Sequence, residues 1–188
     1  MWWSRQSAAI RRLPRLGLAL AAAGLAAGCF QPLYGEHSVT GGPAMSEKMS
    51  MVDVMPIDAP IGRPEGRLGV EVRNALLFDM NSAGAASNPA YRLKINLTTT
   101  RQQVIVDIYT TRPDVENYGI DATYILTEIA TGKIVLRGQT FARVSFDIPG
   151  QQQRFARARG PRDAENRAAK VIADQIKARL ASYFVAGA

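Results

Sequence analysis

The sequence contains a single cysteine, Cys29, and a single histidine, His37. One cysteine excludes an internal disulfide, so the fold has to stand on its hydrophobic core or on a partner. So few thiols and imidazoles leave no zinc or copper site. A Ser/His/Asp triad would have to recruit His37 from a stretch rich in Gly, Ser and Pro. No Gly-x-Ser-x-Gly is present. The glycines at 62, 66 and 69 are not followed by Lys-Ser/Thr, which excludes a phosphate loop. Acidic residues stand singly, and no carboxylate pair is marked out for acid–base work. Internal repeats are absent, and so is any apolar run long enough to cross about 30 Å of hydrocarbon. These absences predict a protein that is not an enzyme and holds no metal and no cofactor.

The chain has 188 residues with a hydrophobic fraction of 47%, enough for one domain with its own core. Its net charge is +7 and its pI is near 9.9, which in the cytosol would suggest nucleic acid as a partner. That charge is concentrated at the start. Residues 1–28 hold Arg5, Arg11, Arg12 and Arg15 and no acid, and the rest of the chain carries 19 basic against 16 acidic side chains. Behind the basic segment, Leu16 to Ala27 reads LGLALAAAGLAA, an apolar run of signal-peptide length. It ends in Ala26-Ala27-Gly28-Cys29, which resembles the lipobox of bacterial lipoproteins, with the leucine at 25 instead of 26. The resemblance implies transfer of diacylglycerol to the Cys29 thiol, cleavage before Cys29 and acylation of the new amine. Each buried CH₂ contributes roughly 0.8 kcal/mol, so two or three chains make release from a membrane slow. By the sorting rule of the lipoprotein signals it resembles, Phe30, where an Asp would retain such a protein at the inner membrane, implies the outer membrane. The competing reading is an ordinary secretory signal followed by an incidental cysteine. Export removes nucleic acid as a partner.

Residues 29–48 read as a lipidated, flexible tether, with His37 a solvated linker residue. Beyond it, Val52 and Val54 alternate with Asp53 in a short strand within Ser50 to Ile57, closed by Pro56. Arg63 to Met80 reads as a helix, with Pro64 in its first turn and Leu68, Val72, Ala75 and Leu76 at helical spacing. Residues 81–89 are a loop by composition. Tyr91, Leu93, Ile95 and Leu97 then alternate with Arg92, Lys94, Asn96 and Thr98, the pattern of a half-buried strand. Farther on, Val104, Val106 and Ile108 fall on even positions, so keeping one face buried predicts a bulge or break between Thr98 and Gln103. Tyr118 to Ile129 is a third strand and residues 130–133 a tight turn. Ile134, Leu136, Ala142, Val144 and Phe146 point inward from a fourth strand, with Arg137, Gln139, Arg143 and Ser145 facing away. Residues 151–162 read as a loop, and Pro161 to Phe184 as a helix lined by Ala168, Ile172, Ile176, Leu180 and Tyr183.

The expected architecture is α+β: a two-layer sandwich of order β-α-β-β-β-α, with two helices packed on a mostly antiparallel four-stranded sheet. Residues 1–28 are then the lipoprotein signal peptide, 29–48 the tether and 49–188 a single domain.

One chemical feature stands above this background. Residues 151–162, QQQRFARARGPR, hold four arginines and no acid, and Arg112 sits in the turn between two strands. Arginine binds phosphate bidentately and stays charged at any relevant pH. The run fits phosphorylated lipid, or equally a solvated basic loop. Phe155 within it either inserts among acyl chains or packs on the core.

A family resemblance covers nearly the whole mature chain. Cys29-Phe30-Gln31-Pro32-Leu33-Tyr34 resembles the Cys-Gly-Phe-x-Pro-Leu-Tyr start of alphaproteobacterial lipopolysaccharide-assembly lipoproteins of the LptE type, without the glycine. Residues 71–76 (EVRNAL), 124–127 (YILT) with 131–133 (TGK), and 163–169 (DAENRAA) match that family in order and spacing. The resemblance implies an outer-membrane lipoprotein, facing the periplasm and lipid-anchored. It would plug a β-barrel lipopolysaccharide-assembly protein, help it fold, and assist delivery of lipopolysaccharide to the outer leaflet. It implies the same fold, and places Arg112, Arg154, Arg157 and Arg159 where lipopolysaccharide-binding residues are expected. The alternatives are a generic outer-membrane lipoprotein scaffold in envelope assembly, or an envelope enzyme.

Overall fold

The long strands and the two long helices follow from alternation and helical spacing, and the sheet order follows from short connections between consecutive strands. The computed structural model describes residues 45–57, 64–80, 88–105, 113–148 and 154–186. The chain divides into two units, Met1–Gly35 and Glu36–Ala188, and only the second contains described residues. The expected signal peptide, Cys29, His37, most of the tether, the loop at 81–87, Val106, Ile108 and Arg112 lie outside them.

The described elements are α1 (Met45–Ser50), β1 (Val52–Val54), α2 (Pro64–Met80), β2 (Tyr91–Ile105), β3 (Pro113–Glu128), β4 (Ile134–Asp147) and α3 (Arg154–Ala186). They form one sheet of order β1-β2-β3-β4. β1 runs parallel to β2, with α2 between them in sequence, as a parallel pair requires. β2, β3 and β4 form the expected antiparallel meander. The α+β architecture with a four-stranded sheet is the one read from the sequence. One short helix is added to it. α1 lies partly in the stretch assigned to the tether, because Met45 and Met49, one turn apart, are both buried in the core.

The sheet has one covered face. Leu93, Ile95, Ile120, Ala122, Tyr124, Leu126 and Ala142 point to the helices and meet Leu68, Val72 and Leu76 of α2 and Ile172, Ile176 and Leu180 of α3. Five alanines of α3 (Ala164, Ala168, Ala169, Ala173 and Ala181) are buried as well. Their small side chains let the helix lie close to its neighbours. Tyr124 lies over Gly138 of β4, where a Cβ would overlap its hydroxyl. Burial pushes that phenol above its ordinary pKa, and the Arg179 charge partly opposes the rise. The β3–β4 turn closes through Glu128 N–H donating to Lys133 O at 2.9 Å and Gly132 N–H donating to Glu128 O at 2.9 Å. Gly132 adopts φ 68°, the left-handed region where glycine has no Cβ to strain.

Three expectations need correction. First, β2 is unbroken between Thr98 and Gln103, and its register against β3 shifts only between Val104 and Ile105. Residues 101–104 are all exposed, so no face is buried there and nothing enforces parity. Second, Ile134 does not point inward. The register passes from Leu126↔Leu136 to Thr127↔Ile134, which leaves Val135 as an extra residue and turns Ile134 outward. Third, the arginine run expected as a loop is helical from Arg154, and Pro161 lies inside α3. Pro161 removes one N–H from the helical ladder, at the Arg157 carbonyl. Arg and Ala on its N-terminal side are good helix formers, and Gly160 lies against the Phe146 ring of β4, where this extension meets the sheet.

Candidate functional site

Three charged regions differ in what they touch. The first is the N-terminal end of α3. Phe155, Arg159 and Arg162 recur at spacings of four and three, so they form one outward stripe, and all three are exposed. Phe155 is 89% exposed, which settles its alternative: it does not pack on the core. Arg154 and Arg157 occupy the first turn, where no acid is present. Cations here oppose the helix dipole, which favours acids in a first turn. The local sequence therefore works against helix stability and in favour of positive potential.

The second region is the end of the core beneath that tip. Glu165 of α3 is only 4% exposed. It accepts a hydrogen bond from Arg101 Nη2 of β2 at 2.8 Å and another from Arg67 Nη2 of α2. Arg67 also donates to Asn166 Oδ1 at 2.9 Å. Arg101 stands over the Tyr118 ring, 5.4 Å from its centroid, with Glu116 at 4.0 Å. One buried carboxylate thus joins α2, β2 and α3. This is a structural clamp: both charges of the arginines are met by acids, and a carboxylate in this setting is costly unless paired.

The third region is the open face of the sheet. Arg92, Lys94, Asn96, Arg137, Gln139 and Arg143 are all exposed, as their alternation with the buried set requires. Arg143 is engaged. Its Nη2 donates to Asp121 Oδ1 at 2.9 Å and its Nη1 to Ile120 O at 3.1 Å, and it lies 5.6 Å from the Phe141 ring centroid. Gly119 makes room for this, since a Cβ there would stand 2.8 Å from Arg143 Cδ.

No group of described residues is placed to hold a metal ion, and no described helix is long and apolar enough to cross a membrane.

The sequence pattern of the LptE lipopolysaccharide-assembly family matches residues 50–180, more than half of the chain. The chain belongs to this family. Its role is thus in lipopolysaccharide assembly in the cell envelope. No curated protein matches the sequence. Among solved structures, a candidate lipoprotein from Caulobacter crescentus CB15 is 19% identical with a TM-score of 0.59, over 77% of this chain and 97% of that one. The rare lipoprotein B from Shewanella oneidensis is 15% identical with a TM-score of 0.47, over 71% and 96%. The first of these likenesses shows a shared fold.

Of the residues expected to carry function in this LptE-family chain, Cys29 and Arg112 lie outside the described residues. Arg154 and Arg157 are placed only by their backbone, and Arg159 is exposed. Sequence reasoning missed the Glu165 clamp. The acid had been visible only as part of the DAENRAA motif, and its sole local sign was its position between the buried alanines 164 and 168 on an otherwise apolar face.

Proposed function

We propose that this LptE-family chain is a non-enzymatic outer-membrane lipoprotein, anchored through acylated Cys29, that plugs a β-barrel lipopolysaccharide-assembly protein. In this role the N-terminal turns of α3 engage lipopolysaccharide as it passes to the outer leaflet. The family match over residues 50–180 carries the reading. The chemistry of the α3 tip supports the lipid contact: an exposed aromatic ring among arginines suits a ligand with phosphates beside acyl chains. Arg154, Arg157 and Arg159, with Arg112 just before β3 in sequence, would take lipid A phosphates from neighbouring molecules and so lower the barrier to insertion. The domain has no disulfide to brace it, and a surrounding barrel would supply stability by mass action.

The test is a mild-detergent pull-down from membranes through a C-terminal tag, with partners identified by mass spectrometry. A large β-barrel protein recovered in equal amount supports the plug. Recovery of the chain from the outer membrane without a barrel leaves a lipoprotein scaffold in its place.

A further inference from the structure

We propose that the free edge of β4 pairs with the same edge of a second copy of this chain, antiparallel and centred on Ala142, so that the four strands of each copy join in one continuous sheet with all the helices on one side. The inference goes beyond the barrel reading and does not need it. It concerns the chain by itself, and a barrel that encloses one chain would compete with the second copy.

The two edges of the sheet differ. β1 closes one side with only 3 residues, too short to template much pairing. β4 closes the other with 14, and among the described residues no strand lies beyond it. Edges of that length are ordinarily blunted by lysine, proline or an inward-pointing charge. IVLRGQTFARVSFD has no lysine and no proline, and its charges stand on the open face. The helix side of this edge is unfinished as well. On β3 the covered-face side chains from Tyr118 to Leu126 are all buried, whereas on β4 only Ala142 is, and Leu136, Thr140, Val144 and Phe146 are half-buried.

The order of side chains along the edge identifies the occupant. With a two-fold axis at Ala142, Arg137 stands opposite Asp147 of the second copy, Gln139 opposite Ser145 and Phe141 opposite Arg143, and symmetry makes each pair twice. Arg137 and Asp147 are exposed, and among the described residues neither makes an ion pair in its own chain. Phe141 is 65% exposed and gains a second guanidinium beside the one it already has. Neighbouring registers lose these pairs. An axis at Thr140 sets Arg137 against Arg143, and an axis at Arg143 sets that arginine against itself. Like charges directly opposite each other are destabilising. An axis at Phe141 puts Arg137 opposite Ser145 and forms no ion pair.

The helix layer agrees with this axis. Gly160 lies against Phe146, and the Thr140 hydroxyl donates to Gln175 Oε1, so α3 runs antiparallel to β4 along its rim. At about 1.5 Å per helical residue and about 3.3 Å per strand residue, Ala142 lies level with the turn that holds Val171. Val171, Gln175, Ala178 and Ser182 share this flank of α3, and all four are exposed and uncharged. The α3 helices of the two copies therefore meet near Val171. The contact is about 35 Å long and two layers, about 20 Å, deep, on the scale of the roughly 800 Å² per partner found in stable complexes.

The experiment is sedimentation equilibrium of the full-length, lipidated protein, purified without a barrel in density-matched mild detergent, over a series of concentrations. Wild type is compared with Arg137→Asp, Asp147→Arg, the exchange Arg137→Asp/Asp147→Arg, and Val171→Asp on the helix flank. Thermal melts show which variants are folded. The expected wild-type mass at the higher concentrations is that of two chains. Each single reversal sets like charges opposite each other twice and should weaken association at least about tenfold, and Val171→Asp should weaken it similarly. The exchange should restore it, which only the register centred on Ala142 predicts. Wild type that stays one chain at every concentration overturns the proposal and leaves the edge to a strand of another protein. A dimer that persists in folded Arg137→Asp or Val171→Asp also overturns it, and so does an exchange variant that is folded and does not associate.

Discussion

The two faces of the sheet are built from the same three strands, residue by residue in alternation, yet they answer to different demands. On the covered face Leu93, Ile120 and Leu126 are sealed against α2 and α3, and every side chain there is constrained by its neighbours. On the open face Arg92, Lys94 and Arg137 are exposed and make no ion pair among the described residues. The difference teaches that stability and binding are separable here. Changes to the covered face should act on folding first, and changes to the open face or to the α3 tip should act on partners while the fold persists.

Predictions that sharpen this division run from large effects to small. Leu126→Ala, at a fully buried site, should lower stability by about 2–5 kcal/mol in denaturant unfolding. A loss below about 1 kcal/mol would mean that the core can collapse around the gap, against the close packing described. Glu165→Gln should cost about 1–3 kcal/mol, since Arg67 and Arg101 lose a charged acceptor but are themselves half-exposed and can be rehydrated. Hydrogen exchange should then speed up in the first turns of α3, where the clamp joins the helix to β2. Gly119→Ala should displace Arg143 from Asp121 and press on Thr100 Oγ1 of β2, which would stand 2.5 Å from the new Cβ, and cost about 1–3 kcal/mol, mostly from overpacking because an exposed ion pair contributes little. Its melting curve checks this. Smallest of all, Phe155→Ser should leave unfolding within about 0.5 kcal/mol of wild type while weakening lipopolysaccharide binding. A marked loss of stability there would show that the ring packs in the folded protein.

The same division explains what was legible in the sequence. Where one face is buried, alternation must be kept, and Tyr91 to Leu97 could be read directly as a strand with its orientation. Where both faces are open, as at residues 101–104, parity carries no information, and a break inferred from it was misplaced. The bulge at Val135 was invisible because Ile134, Val135 and Leu136 are all apolar, so no polar residue marks the slip. The α3 tip was misread because Gly160-Pro161 is an ordinary helix breaker. The helix runs through it where Gly160 packs against Phe146 of β4, more than ten residues away in sequence. The Glu165 clamp depends on partners 64 and 98 residues away, which spacing alone does not reveal. Of the candidate site, the basic character of residues 154–162 and the outward set on the sheet were legible. That the run is helical was not.

One titration tests the role of the α3 tip most directly. Labelled lipopolysaccharide is added to the wild-type protein and to Arg154→Ala/Arg157→Ala/Arg159→Ala, with thermal melts recorded on the same samples. The account predicts binding weakened by about tenfold or more and a melting temperature close to that of wild type. Unchanged binding by a folded variant would contradict the assignment of the α3 tip to lipopolysaccharide.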